Sequence, residues 1–192
     1  MRREEILAAA EAEVTKRGFA RTRVGDVAEA LGVSTALIFY HFGTKEKLFA
    51  EALEHAVERD LDRLDEAVAK ASDPVDGVRR MLQLWSPQGN ANGWTVWVDA
   101  WAESLREPEM RAMSRRLDVR WKEALADQIC RGNDAGLFRC EDPEGAAWRL
   151  SALLDGLAVQ VMVHRNLTKK QLAVWVRGAA AHELGVEPAV LV

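Results

Sequence analysis

The sequence has few of the features that mark secreted, metal-binding or membrane-spanning chains. Only two of its 192 residues are cysteine, Cys130 and Cys140, and they have neither CxxC spacing nor a nearby pair of histidines. The four histidines are scattered between His41 and His182, so we expect no metal site and two inert thiols. The chain starts without an apolar signal region, and no run approaches the about 20 residues that span a bilayer. A cytoplasmic location without a membrane partner is expected.

Motifs that support catalysis or cofactor binding are also missing. The sequence contains no nucleophile elbow, no phosphate-binding glycine loop and no series of metal ligands. Ser86, Asp99 and His164 can be combined into a triad on paper, but nothing in the sequence places them together. We therefore predict that the protein is not an enzyme and uses no cofactor.

Charge is distributed unevenly along a chain of otherwise ordinary globular composition. Hydrophobic residues make up 48% and charged residues 29% of the sequence, and the net charge is −4, which is typical of a globular protein. The first fifty residues carry eight Lys/Arg against seven Asp/Glu, whereas the remainder carries eighteen against twenty-three. A nearly neutral N-terminal part on an acidic body is consistent with nucleic-acid binding through a few placed cations.

Apolar residues recur at three- and four-residue intervals in every long segment, and no alternating strand pattern occurs. The predicted fold class is all-α with about nine helices. Proline and glycine mark the ends of the segments, with a loop over 86–90. The predicted helices cover residues 3–16, 24–31, 35–42, 44–70, 74–85, 93–106, 108–131, 143–164 and 169–184.

The segment 22–49 predicts a short helix, a tight turn, a second short helix and a capped third helix. Gly32 suits the left-handed position after a helix, and Ser34 is a favourable N-cap residue. In the second helix Ile38 and Phe42 lie four residues apart and are expected to face inward. This arrangement is typical of a helix-turn-helix, whose second helix enters the major groove. The side chains left to face outward are Thr35, Leu37, Tyr40 and His41.

Lys45 follows Thr44, the predicted N-cap residue of the third of these helices. A cation at a helix N-terminus opposes the helix macrodipole. A phosphate bound at the same end would remove this conflict, so Lys45 is expected to contact the DNA backbone.

These first fifty residues resemble the DNA-binding domain of the TetR family of bacterial transcriptional regulators. The matching motifs are Ile6-Leu7-Ala8-Ala9-Ala10, Gly18-Phe19 with Thr22, Val27-Ala28, Gly32-Val33-Ser34 and Tyr40-His41-Phe42-Gly43-Thr44-Lys45-Glu46-Lys47-Leu48. The resemblance implies phosphate or base contacts from Thr22, Ser34, Thr35, Leu37, Tyr40, His41 and Lys45. For Leu37 the alternative is a surface position without a DNA contact. Thr35 and Gly25 depart from the family pattern, in which longer polar or basic residues are common there.

Most of residues 75–185 resemble the BetI-type ligand-binding domain of TetR regulators. The motifs are Trp97-Val98-Asp99-Ala100-Trp101, Arg106-Glu107-Pro108, Gly136-Leu137-Phe138 and Asp155-Gly156-Leu157. The resemblance implies a DNA-binding domain over residues 1–47 and an effector-binding and dimerisation domain over 48–192. It also implies a homodimer through the last two helices, residues 143–184, whose apolar stripes exceed the needs of a small core. Such a dimer would present two recognition helices to a palindromic double-stranded operator.

Tryptophan is unusually common, with seven residues against a single tyrosine. Indole faces attract cations, so a quaternary ammonium or polyamine is one expected small-molecule effector. The alternatives are that the indoles only fill the core and an interface, and that the effector is a neutral, hydrophobic drug-like or acyl compound. Trp94, Trp97 and Trp101 share one helix face. The predicted effector-site residues are Trp85, Trp94, Trp97, Trp101, Trp121 and Asp155.

The mechanism implied by the resemblance is repression that an effector relieves by moving the helix over 44–70. The alternative is an activator or regulator that responds to a neutral hydrophobic drug-like or acyl ligand. The operator sequence, the regulated genes and the choice between repression and activation do not follow from these residues.

Overall fold

The computed structural model describes residues 3–87 and 92–192, and all regular secondary structure within those ranges is helical. The all-α prediction is confirmed. The nine α-helices of the described chain are α1 (Arg3–Arg17), α2 (Val24–Leu31), α3 (Thr35–Phe42), α4 (Lys45–Ala69), α5 (Pro74–Trp85), α6 (Asn92–Ser104), α7 (Pro108–Asp134), α8 (Pro143–Val159) and α9 (Lys169–Leu184). A π-helical turn, Gln160–His164, extends α8, and a 3₁₀ turn, Pro188–Leu191, follows α9.

Two helices, α7 and α8, end more than two residues from their predicted ends. Helix α7 continues through Gly132 to Asp134, because this glycine makes room for a neighbour and does not stop the helix. A Cβ atom at Gly132 would lie 1.9 Å from Cδ2 of Phe138. The last turn of the predicted 143–164 helix is π-helical. The predicted loop over 86–90 lies outside the described residues except for Ser86 and Pro87.

The chain divides into two compact units. Unit 1 contains the described residues of Met1–Asp60 together with Asn92–Asp118, and unit 2 contains those of Leu61–Ala91 together with Val119–Val192. Helices α4 and α7 contribute residues to both units. The division into functional domains at residues 47 and 48 stays a prediction.

Unit 1 is built on the packing of α1, α2 and α3 and the first part of α4. Ion pairs join α1 to α4: Arg3 lies 2.5 Å from the Glu51 carboxylate, and Glu11 pairs with Arg59. The arginine of each pair is exposed and the glutamate is half-buried. Pairs with an exposed partner contribute little to stability, so apolar burial provides most of it. The buried apolar side chains here include Ile6, Ala10, Val14, Val27, Ile38, Phe42, Leu48 and Leu53.

Unit 2 contains the antiparallel pair α8 and α9. Arg149 donates to both carboxylate oxygens of Glu183 at 2.7 Å, and this hydrogen bonding lowers the pKa of Glu183. Thr168 caps α9, because its hydroxyl accepts the N–H of Gln171 at 3.2 Å. The buried side chains of the two helices include Leu150, Leu154, Ala158, Leu172, Val176 and Ala180.

The expectation that no run reaches membrane-spanning length is wrong for one segment: Pro143–His164 is 22 residues long and is apolar enough to cross a membrane by length and composition alone. Part of it is buried inside the protein, including Leu150 and Leu154. A core helix passes the same test, so the segment is weak evidence for a membrane span.

Candidate DNA-binding and effector sites

The connection between α2 and α3 is a tight turn with well-defined ends. Gly32 has a φ of 67° and donates its N–H to the carbonyl oxygens at the end of α2. The Ser34 hydroxyl accepts the N–H of Leu37 at 3.3 Å and so begins α3. Ile38 and Phe42 are buried, which fixes the inner face of α3 as the sequence predicted. The structure therefore contains a helix-turn-helix.

The opposite face of α3 is open. Tyr40 is 84% exposed, and its ring lies 5.5 Å from that of His41 in an edge-to-face arrangement. Ser34 and Thr35 are exposed, while Leu37 and His41 are half-buried. These five predicted DNA contacts lie together on α3 and at its N-terminus, and they combine hydroxyl, imidazole and apolar groups of the kinds that contact base edges. Whether each contacts DNA stays a prediction.

Lys45 is the first residue of α4. The Thr44 hydroxyl accepts the N–H of Lys47 at 3.2 Å, which caps this helix as predicted. The Lys45 ammonium lies 5.7 Å from the centroid of the Phe49 ring, and the side chain is half-buried. The contact of Lys45 with a phosphate of the DNA backbone at this helix end stays a prediction.

Thr22 does not belong with the other predicted DNA contacts. Its side chain is fully buried, and its hydroxyl donates to the carbonyl oxygen of Gly18 at 2.7 Å. The prediction that this side chain contacts DNA is wrong, because it closes the connection between α1 and α2. The exposed cations here are its neighbours Arg21 and Arg23.

Sequence reasoning missed those two arginines and Phe39, which is 43% exposed on α3. The arginines stand just before α2 in the sequence, and their charge makes them candidate phosphate contacts, a role that stays a prediction. Phe39 carried no such signal, because an aromatic residue at helical spacing more often belongs to a core.

The predicted effector-site residues fall into two groups. In unit 1, α6 carries Trp94, Trp97 and Trp101. The Trp101 ring centroid lies 5.9 Å from that of Trp94 and 6.1 Å from that of Trp97. Trp94 is buried and the other two are half-buried. The structure thus brings these three indoles together.

The second group lies in unit 2. The ring centroids of Trp85 and Trp121 are 5.2 Å apart, with the planes tilted by 40°. Asp155 is half-buried on α8. A role for these residues in effector binding stays a prediction.

A groove between α7 and the start of α8 lies within unit 2 and was not predicted. Its volume is about 370 Å³, which is within the usual range for small-molecule sites. Lys122 is 6% exposed, and its ammonium lies 4.5 Å from the centroid of the Trp148 ring. One face of this indole is therefore already occupied by a cation of the protein. The lining residues are Val119, Lys122, Glu123, Ala126, Asp127, Glu144 and Trp148.

Metal-ligating side chains do not gather in groups of three or more anywhere in the described part of the chain. The two cysteines differ in their surroundings. Cys130 is exposed and Cys140 is buried, and burial raises the pKa of the Cys140 thiol.

Both the N-terminal and the C-terminal part of the chain match family models. Residues 6–52 match the model described as bacterial regulatory proteins, tetR family. Residues 74–185 match the model described as BetI-type transcriptional repressor, C-terminal. The first match contains the helix-turn-helix, and the second contains α5, α6, α7, α8 and α9.

Individual relatives are similar over most of their length. The HTH-type transcriptional regulator BetI of Stenotrophomonas maltophilia is 30% identical over 164 residues, covering 82% of this chain and 79% of that protein. BetI of Agrobacterium fabrum is 30% identical over 169 residues, covering 83% of this chain and 76% of that protein. A candidate transcriptional regulator from Saccharomonospora viridis, crystallised in complex with choline, has a TM-score of 0.83 and 32% identity. That alignment covers 94% of this chain and 95% of that one.

Proposed function

This chain belongs to the TetR family of bacterial regulatory proteins and has a BetI-type C-terminal domain, and on that premise we propose that it is an effector-released transcriptional repressor. Regulators of this family bind operator DNA and small-molecule effectors as dimers; they are not enzymes. We assign it a palindromic double-stranded operator, a homodimeric state and a small cationic effector of the quaternary ammonium class. A regulator that binds DNA acts in the cytoplasm.

The exposed face of α3 is the observation that carries the DNA-binding role. Tyr40 is 84% exposed although α3 is anchored by the buried Ile38 and Phe42. A large aromatic ring held in water by a rigid helix contributes nothing to the core, whereas a groove would bury it. Ser34 and Lys45 stand at the N-termini of α3 and α4, where phosphate oxygens bind well.

The exposed apolar side chains of α8 and α9 support a homodimer through residues 143–184. Trp148, Val174 and Trp175 are each about half exposed. An apolar surface of this kind is typical of an interface, and a two-fold interface would supply the second recognition helix that a palindrome needs.

The effector class rests on the indole cluster of α6 and on one structural relative. The Trp101 ring contacts those of Trp94 and Trp97, and such indole faces attract a cation strongly once water is excluded. The relative from Saccharomonospora viridis was crystallised with choline. We propose choline or a similar quaternary ammonium ion as the effector, in contact with Trp97 and Trp101.

A neutral hydrophobic effector, acting on a repressor or an activator, is the alternative. One observation favours it: Asp99, the carboxylate that lies between Trp97 and Trp101 in the sequence, accepts the main-chain N–H of Phe19. A cation at the cluster would then rely on indole faces without that carboxylate.

A thermal-unfolding screen tests the effector class. Choline and a neutral long-chain alcohol would be added separately to the parent protein, Trp97→Ala and Leu105→Ala; Leu105 is 74% exposed after α6 and serves as the control. A ligand at about one hundred times its Kd stabilises by about 2.7 kcal/mol. We expect choline to raise the Tm of the parent and the control but not of Trp97→Ala. Stabilisation by the alcohol alone would exclude the cationic effector and leave the hydrophobic alternative.

A further inference from the structure

Asp99 joins α6 to the end of α1 within unit 1. Its carboxylate accepts the main-chain N–H of Phe19, two residues after the end of α1. Gly18, which lies between the end of α1 and Phe19, has a φ of 82°. A Cβ atom at Gly18 would lie 3.0 Å from Oδ2 of Asp99. The glycine therefore serves two purposes, a left-handed turn and close approach of the carboxylate.

The short segment that follows leads directly to the DNA-binding helices. Phe19 is buried, and its ring lies edge-on to Phe49 of α4 with centroids 6.3 Å apart. Thr22 is tied to Gly18 through two hydrogen bonds to the Gly18 carbonyl oxygen, one from its N–H and one from its hydroxyl. Helix α2 begins two residues later, at Val24. A displacement of Asp99 would consequently be passed to the start of the helix-turn-helix.

The same helix carries the candidate effector contacts on its other side. Trp97 and Trp101 each lie two residues from Asp99, which corresponds to about 200° around a helix of 3.6 residues per turn. The two indoles and the carboxylate thus occupy roughly opposite faces of α6. A rotation or shift of α6 caused at one face must move the other, because the helix is a rigid element.

We propose that Asp99 is a positioning residue that couples effector binding at the α6 indoles to the orientation of α2 and α3. The inference rests on the proposed function and specifies how that site is regulated. The contact between Asp99 and Phe19 belongs to the operator-binding state, and the effector-bound state weakens it. An effector that prefers the second state then lowers operator affinity by its differential affinity for the two states.

The test compares Asp99→Ala and Asp99→Asn with Glu103→Ala, which removes a carboxylate one turn later on α6. Operator affinity would be measured by fluorescence anisotropy on a duplex that the parent selects from a random pool. A hydrogen bond to a charged group is worth about 1.5–3 kcal/mol, so we expect Asp99→Ala to bind at least about tenfold more weakly without effector. Asp99→Asn should recover most of the affinity, because its amide oxygen accepts the same N–H. Glu103→Ala should match the parent.

A second arm measures coupling. Choline should weaken operator binding by the parent. For Asp99→Ala the ratio of the operator affinities without and with choline should be near one, while choline still raises the Tm of this variant. Faster hydrogen exchange at the Phe19 amide in this variant, with parent-like exchange in α8 and α9, would confirm the local origin. Parent-like operator affinity of Asp99→Ala would overturn the inference.

Two results separate this inference from the proposed function. If the parent binds operator but ignores choline, the proposed effector is wrong, and Asp99 is judged by the effector-free affinities of the alanine and asparagine variants. If the parent selects no duplex, the proposed function fails and the inference fails with it.

Discussion

The Thr22 hydroxyl donates a hydrogen bond of 2.7 Å to the carbonyl oxygen of Gly18, and the Thr22 N–H donates to the same oxygen at 3.1 Å. Thr22 thus donates two hydrogen bonds to the carbonyl oxygen that follows α1. Because the side chain is fully buried, it supports the fold of the DNA-binding helices without facing DNA.

Replacing Thr22 with valine should destabilise the protein without changing the exposed face of α3 that we propose contacts the operator. The variant loses a buried hydrogen bond, worth about 1 kcal/mol, at nearly constant volume. Urea unfolding should show that loss, while operator affinity at low temperature stays at the parent value.

The exposed Thr35→Val should behave in the opposite way, with unchanged stability and weaker operator binding. Equal operator affinities for parent and Thr35→Val would remove Thr35 from the contact set.

Tyr40→Ala should weaken operator binding without affecting stability. The ring is exposed in the free protein, so its removal creates no cavity. Loss of one good base contact costs about 1–3 kcal/mol, and a homodimer loses it twice. Gel-shift titration against Leu105→Ala as the control would check this. A Tyr40→Ala protein with parent affinity would show that α3 does not read the operator.

Asp76 should make the free energy of unfolding depend on acid pH. Hydrogen bonding from Arg80 lowers its pKa from 3.8 to about 2, with a further contribution from Arg79. Because the pKa is depressed in the folded protein, the stabilisation is complete above the unfolded-state pKa and is lost as the pH falls from 3.8 through about 2. Urea unfolding at a series of acid pH values should show a shallower decline for Asp76→Asn. An identical slope in both proteins would mean that this carboxylate stays solvated.

Trp175→Arg should separate the dimer. The indole is about half exposed on α9 in the single chain, and a charge buried at a two-fold interface without a partner is strongly unfavourable. Sedimentation velocity should show a monomer at concentrations where the parent is a dimer, with a matching loss of operator affinity. Leu105→Arg carries the same charge change elsewhere and should stay dimeric. A dimeric Trp175→Arg would place the interface away from this residue.

Local rules were sufficient to predict the helices and the turn between α2 and α3. Gly32 and Ser34 determine their helix ends through bonds to residues within five positions. The burial of Thr22 was not predictable in this way, because it depends on how α1 packs against α2. The contact between Asp99 and Phe19 joins residues 80 positions apart, and the ammonium over the Trp148 ring belongs to Lys122 of a neighbouring helix. Neither leaves a periodic signal in the sequence.

Effector-released repression is tested most directly by the affinity of the parent protein for its selected palindromic duplex, with and without choline. We expect tight, salt-dependent binding of two protomers per palindrome, weakened by saturating choline by a factor within the usual 5–150-fold range of allosteric coupling. An affinity that does not change between zero and saturating choline would contradict it.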